Sequence, residues 1–245
     1  MQSRQLYSRT PITEAVIEFR AKLPEEVKLD TLAQIGFEIR SDYPMREEMF
    51  VISGSMTVGD TVGATASRTQ IGYRFFSVDQ KQILQARLDG FSFSRLAPYE
   101  HWEAFRNEAK RLWGIYQSLA NPQTLTRLAV RYINRLDLPL PIKDIRDYLR
   151  TVPEISLELP QGLSGYFMQL QIPHEDLGAM LVLNETLVPP QKSDVASILL
   201  DIDLFQEWDR PNEEIKLWDS MEQLHFRVDQ IFEACITTQT RELIK

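Results

Sequence analysis

Residues 101–138 read HWEAFRNEAKRLWGIYQSLANPQTLTRLAVRYINRLDL, and the change of period inside this stretch decides the fold class. Trp102, Phe105, Ala109, Leu112, Trp113 and Tyr116 recur at helical spacing, with Arg106, Glu108, Lys110 and Arg111 mostly on the other side. That pattern predicts an amphipathic helix from about His101 to Ala120. Pro122 stops it, because proline removes a donor and clashes with the preceding turn. From Thr124 to Leu138 the period changes to two, the signature of a strand with one apolar face. A long helix running straight into a long strand indicates an α+β fold.

Working outward, Ala15, Ile17, Phe19 and Ala21 alternate with Glu14, Val16, Glu18 and Arg20, which predicts a first strand after Pro11. Leu32, Ile35, Gly36 and Ile39 follow at helical spacing, with Asp30 as N-cap and Pro44 as stop. Four strands are expected at 50–56, 72–78, 82–88 and 91–96, with Asp89-Gly90 as a two-residue hairpin turn. A Pro-rich start at Pro139 and a short helix around Asp144 to Arg150 mark a boundary. Further strands are expected at 165–172, 179–184 and 196–205, and a last helix at about 213–243. Pro211-Asn212 supplies its N-cap, and Glu213-Glu214 a first turn suited to the helix dipole.

In each half, strands lead through a short Pro-containing loop into a long helix with a Trp near its start. The expected architecture is therefore two similar strand-plus-helix halves, 1–140 and 141–245, packed as one compact unit. Each antiparallel sheet is covered by its own long amphipathic helix.

The chain has 245 residues, 43% hydrophobic and 25% charged, with 12 Phe, 8 Tyr and 4 Trp. This excludes collagen-like and largely disordered classes and supplies enough bulk for a core. A formal net charge of -8 argues against broad nucleic-acid or anionic-membrane binding, which needs a basic surface. The charge is uneven, however. Residues 101–150 hold nine Lys/Arg against five Asp/Glu, whereas residues 201–245 hold five against eleven. Local nucleic-acid contact through 101–150 therefore stays open. A single cysteine, Cys235, forms no intrachain disulfide and reads as a small buried thiol. No apolar run approaches the roughly 18 residues of a membrane span, so no membrane association is expected and a cytoplasmic location is.

The chemistry-bearing residues lie on the strand that decides the fold. Leu128, Val130, Tyr132, Leu136 and Leu138 share one face, and Arg127, Arg131 and Arg135 share the other at steps of about 13 Å. A guanidinium keeps its charge and its planar fork suits carboxylates and phosphates. Two fates are open to these arginines. Acidic side chains on neighbouring strands pair them, Glu14 and Glu18 being the natural partners, or they remain an anion site for a phosphate, a nucleotide or an acidic peptide. The ligand-binding candidates are thus Arg127, Arg131, Arg135, Glu14 and Glu18. Asn134 lies on the apolar face and needs a hydrogen-bond partner if buried.

Asp201 and Asp203 form an Asp-x-Asp pair on a later strand. They are candidate Mg²⁺ ligands, with pairing to arginine as the competing fate, and no third ligand stands at a motif spacing. His225 reads as a packed core-edge histidine, His101 as a helix cap or an exposed residue, and His174 as a turn residue. No nucleophile elbow, Gly-rich phosphate loop or dinucleotide fingerprint occurs, so no catalytic residue and no cofactor are assigned.

Pro11-Ile12-Thr13-Glu14-Ala15-Val16-Ile17-Glu18, the stretch from Asp89-Gly90-Phe91 through Pro98-Tyr99 to Trp102-Glu103, and Arg127 to Arg135 together resemble a sporadically distributed family of uncharacterised bacterial and archaeal proteins. The resemblance extends through Leu200-Asp201-Ile202-Asp203 and the helix ending at Phe232 to Thr237. That family carries no established activity, and its patchy occurrence implies accessory genes on mobile or defence-related loci. The leading expectation is a non-enzymatic binding or regulatory protein that recognises an anionic ligand or a protein partner. The alternative is an enzyme acting on a phosphorylated or nucleotide substrate, with an arginine clamp and an Asp-x-Asp metal site.

Overall fold

A computed structural model describes residues 7–57, 63–211 and 214–245. Nine strands form one antiparallel sheet in the order β2-β3-β4-β5-β1-β6-β9-β8-β7. They are β1 (Ile12–Lys22), β2 (Met45–Thr57), β3 (Gly63–Phe76), β4 (Gln82–Arg87), β5 (Gly90–Leu96), β6 (Thr124–Pro139), β7 (Phe167–His174), β8 (Ala179–Val188) and β9 (Val195–Pro211). The helices are α1 (Leu29–Glu38), α2 (Trp102–Ala120), α3 (Glu214–Cys235) and α4 (Thr238–Ile244).

The architecture is α+β, but the expectation of two sheets, each under its own helix, is corrected. The first strand in sequence sits in the middle, between β5 and β6, and β6 then pairs with β9 along nearly its whole length. The sheet therefore runs unbroken across residue 140. Long β6, with a satisfied neighbour on each side, is the seam.

The expected alternation of β1 holds: Ala15, Ile17 and Phe19 are fully buried, while Glu14, Val16, Glu18 and Arg20 occupy the other face. Phe19 packs edge-on against Trp113 of α2 at 4.8 Å and Trp218 of α3 at 5.6 Å, and stacks on Phe91 at 5.7 Å. One strand thus ties both long helices to one face of the sheet. Each such fully buried large side chain stabilises the fold by roughly 1.5–3 kcal/mol.

Several local expectations change. In β6 both Leu125 and Leu128 are buried, because β6 carries one extra residue between Leu125 and Arg127 relative to β1, which turns the alternation over. The β4–β5 turn consists of Leu88 and Asp89, while Gly90 is already in β5 at φ 148°. A side chain at Gly90 would place its Cβ 2.2 Å from the Phe19 carbonyl oxygen, so glycine is required by the close approach of β1. The first helix begins at Leu29, which puts Asp30 in its first turn and not at its cap. The expected short helix near 144–150 is a single 3₁₀ turn at Ile145–Asp147.

The expected last helix is broken in two. Ile236 forms a bridge with Leu149, flanked by Arg150 N donating to Cys235 O at 2.8 Å and Thr237 N to Tyr148 O at 3.0 Å. These backbone bonds draw the chain out of helical geometry, and Thr237 caps the α4 turn that follows. The N-cap expected at Asn212 and the charge of Glu213 lie outside the described residues. Among the described residues no helix is long and apolar enough to cross a membrane.

Candidate functional site

All of the burial just described lies on the helix side of the sheet. The opposite face of the central strands carries a row of ionic and amide groups that begins at the β4–β5 turn and reaches the β7 edge. Glu18 of β1 is its hub. It accepts from Arg127 Nη1 at 2.6 Å and from Arg20 Nε at 3.1 Å, and Arg87 Nη2 stands 3.5 Å away. Arg87 in turn donates through Nε to Asp89 at 2.9 Å.

Arg127 continues the row toward β9. Its guanidinium lies over the Phe205 ring, 4.3 Å from the centroid, and its Nη2 donates to both Asp203 oxygens at 3.0 and 2.8 Å. Arg131 reaches Asp201 in a bidentate pair, Nε to Oδ1 and Nη2 to Oδ2, both 2.7 Å. Asn184 of β8 donates to Asp201 Oδ2 at 3.0 Å, and Gln169 of β7 donates to Asn184 Oδ1 at 2.7 Å. Arg135 bonds Asp137 at 3.1 Å, Ser197 Oγ at 2.8 Å and the Pro189 carbonyl at 3.0 Å.

The five ligand-binding candidates therefore share one face, and the three arginines are all partnered. Glu18 is a partner; Glu14 is on the face and its charge supports Arg131 without closing an ion pair with any of the three. Asp201 and Asp203 meet guanidinium groups, and among the described residues no cluster of three or more His, Cys, Asp or Glu side chains is placed to hold a metal. The basic stretch 101–150 is also largely paired, with Arg106 on Glu222 and Arg111 on Glu108.

The environment sets the charge states. Burial works to raise the Glu18 carboxyl, but Arg127, Arg87 and Arg20 outweigh it and hold it below the ordinary value. At Asp203 burial wins, with Arg127 and Arg131 opposing and Glu18 adding repulsion, so its proton affinity is raised. Arg131 keeps 43% of its side chain exposed while Asp201 keeps 12%, so the pair presents its cation outward.

The remaining expected residues have structural places. Asn134 is 2% exposed and donates to the carbonyls of Leu200 at 3.1 Å and Tyr132 at 3.3 Å. His225 stacks on Trp102 at 4.2 Å, with Nδ1 2.8 Å from the Tyr132 hydroxyl. His101 caps α2 by accepting from Ala104 N at 3.2 Å. His174 lies beside Arg227, whose Nη1 is 2.9 Å away. The Cys235 thiol is buried and pushed up to about 11, first by desolvation and then by the nearby Glu185 charge, which favours the thiol over the thiolate.

Two groups of residues escaped the sequence reading. Arg20, Arg87, Asn184 and Gln169 complete the row from strands whose order the sequence does not display. A cleft of about 350 Å³ opens between the end of α1, strands β4 and β5 and helix α2, lined in part by Tyr43, Gln82, Arg95, Tyr99, Glu108 and Arg111. Tyr43 donates to Glu108 at 2.7 Å with the Gln82 amide at the same distance, and Glu108 also takes two bonds from Arg111. Its signal in the sequence was faint: polar Glu108 and Arg111 on the outer flank of a helix whose other face is aromatic. No family model and no curated relative matches the chain.

Proposed function

We propose that the chain is a non-enzymatic binding protein that docks a protein partner on the open sheet face, with Arg127, Arg131, Arg135, Glu14 and Glu18 in the contact zone. The observation that carries this reading is the face itself. It is left uncovered by the long helices, and its charged groups are held in place by one another before any partner arrives. Val16, Ile133, Leu199 and Phe205, all partly exposed, lie between the charges and supply apolar contact.

The pairing decides which class of ligand suits it. A free phosphate or nucleotide gains most from unpaired cations, and it would have to displace Glu18, Asp201 or Asp203 from bonds of 2.6–3.0 Å. A protein surface with its own alternating charges can match the row without breaking it. The fixed side chains also lose little further rotamer freedom on binding, a cost of about 0.5–1.5 kcal/mol for each mobile one.

The test is capture with immobilised native chain and with Arg131→Ala, followed by titration of the purified captured protein. The reading expects a stoichiometric partner that the native face holds and the variant releases. Saturable binding of inorganic phosphate, or of a nucleotide with Mg²⁺, that Arg131→Ala abolishes would overturn it in favour of an anion-clamp enzyme.

A further inference from the structure

We propose that the β7 edge is a homodimer interface, in which two copies pair β7 to β7 antiparallel about a two-fold axis and continue the sheet across both chains. The partner is a second copy because the strand is complementary to itself. Gln169-Leu170-Gln171 reads the same in both directions about Leu170, and apolar Met168 and Ile172 flank it. Antiparallel pairing centred there sets Leu170 against Leu170, Gln169 against Gln171 and Met168 against Ile172.

The backbone phase permits this register. Leu187 N donates to Tyr166 O one step before the Phe167–Thr186 pair, so the even-numbered residues of β7 direct their backbone groups at β8. By alternation the groups of Phe167, Gln169 and Gln171 face outward. Each Gln169–Gln171 pair then exchanges two hydrogen bonds, and each Phe167 N–H meets a Pro173 carbonyl. Pro173 has no N–H, so the pairing loses one hydrogen bond at each end of the ladder, where the Phe167 carbonyl stays open to water.

Composition separates this edge from the other. An edge strand is ordinarily protected by charge, and β2 at the opposite edge carries Arg46, Glu47 and Glu48. From Phe167 to Pro173 there is no charged residue, in a chain of net charge -8. Phe167 stands 67% exposed and Ile172 39%. Pairing covers both and brings Met168, Leu170 and Ile172 of the two copies into one apolar row on the helix side. On the other side it joins the Gln169–Asn184–Asp201 row of one copy to that of the next.

The experiment uses the full chain. Light scattering during size exclusion is expected to give twice the chain mass. Leu170 opposite Leu170 is a non-hydrogen-bonded pair with Cα atoms about 4.5 Å apart, close enough for a disulfide. Leu170→Cys is therefore expected to yield a covalent dimer on oxidation, while the buried Cys235 of the native chain yields none. The double variant Gln169→Lys/Gln171→Lys sets cations against each other and is expected to weaken the dimer roughly tenfold or more, with a melting temperature unchanged at dilutions where the native chain is also monomeric. A native chain that stays monomeric at every attainable concentration overturns the proposal. So does a dimer that Leu170→Cys fails to trap and the lysines leave intact.

Discussion

Arg131 and Asp201, on adjacent strands of the open face, are joined by two parallel hydrogen bonds of 2.7 Å. The carboxylate is nearly covered and the guanidinium half open, so the pair holds its geometry while facing solvent. Removing either partner has unequal consequences. Arg131→Ala leaves a mostly covered carboxylate with only Asn184 as donor, whereas Asp201→Ala frees a cation that water reaches. Between the values of buried and exposed pairs, Arg131→Ala should cost about 1–2 kcal/mol and Asp201→Ala less. Urea denaturation of both single variants and the double variant measures the coupling between them.

The junction of the two long helices depends on Phe19. Its ring touches Trp113, Trp218 and Phe91 and is fully buried. Phe19→Ala should destabilise by about 3–5 kcal/mol, read as a lower denaturation midpoint with an unchanged slope. A loss below about 1 kcal/mol would mean that the helices do not share this anchor.

Gly90 is a separate and more local requirement. Gly90→Ala combines a left-handed φ of 148° with a Cβ 2.2 Å from the Phe19 carbonyl oxygen, so β1 and β5 must part. A cost of about 2–4 kcal/mol is expected by the same denaturation measurement.

Glu185 makes stability fall as pH rises. It is fully buried on the helix side of β8, accepts from the Tyr166 hydroxyl at 2.7 Å through Oε1, and has no partner at Oε2. Burial raises its pKa from 4.5 to about 7, with the Tyr166 bond opposing. The folded chain therefore holds an extra proton between those values. The resulting stability is fully present below the unfolded value and lost as pH rises through the folded one. Glu18 has the opposite sign: its lowered pKa contributes stability above the ordinary carboxylate range that disappears in acid. Glu185→Gln should flatten the decline between about pH 4.5 and about pH 7 and melt higher than native above that interval. Parallel pH dependence in native and variant would contradict this assignment.

Local periodicity carried much of the fold. Alternation in β1 and β6 and helical spacing in α2 placed Phe19, Trp113 and Arg127 on the correct sides, because each pattern is set by residues a few positions apart. The common face of Arg127, Arg131 and Arg135 and the part played by Glu18 followed from the same alternation. Strand order did not, since nothing within β1 says that β5 and β6 flank it. For that reason Arg87, Asn184 and Gln169 were not seen as members of the row. The break at Ile236 was hidden for a related cause: the apolar spacing runs on smoothly, and only the distant pairing with Leu149 interrupts the helix. The cleft beside Tyr43 is likewise assembled from segments as far apart as Asp42 and Arg111.

The most direct test of the open face is a calorimetric titration of the captured and purified partner into native chain and into Arg131→Ala. The account predicts that affinity falls about tenfold or more in the variant, while its melting temperature drops by only a few degrees, about 2–4 °C for a loss of 1 kcal/mol in a chain of this size. Equal affinity for both proteins would contradict it and place recognition elsewhere on the molecule.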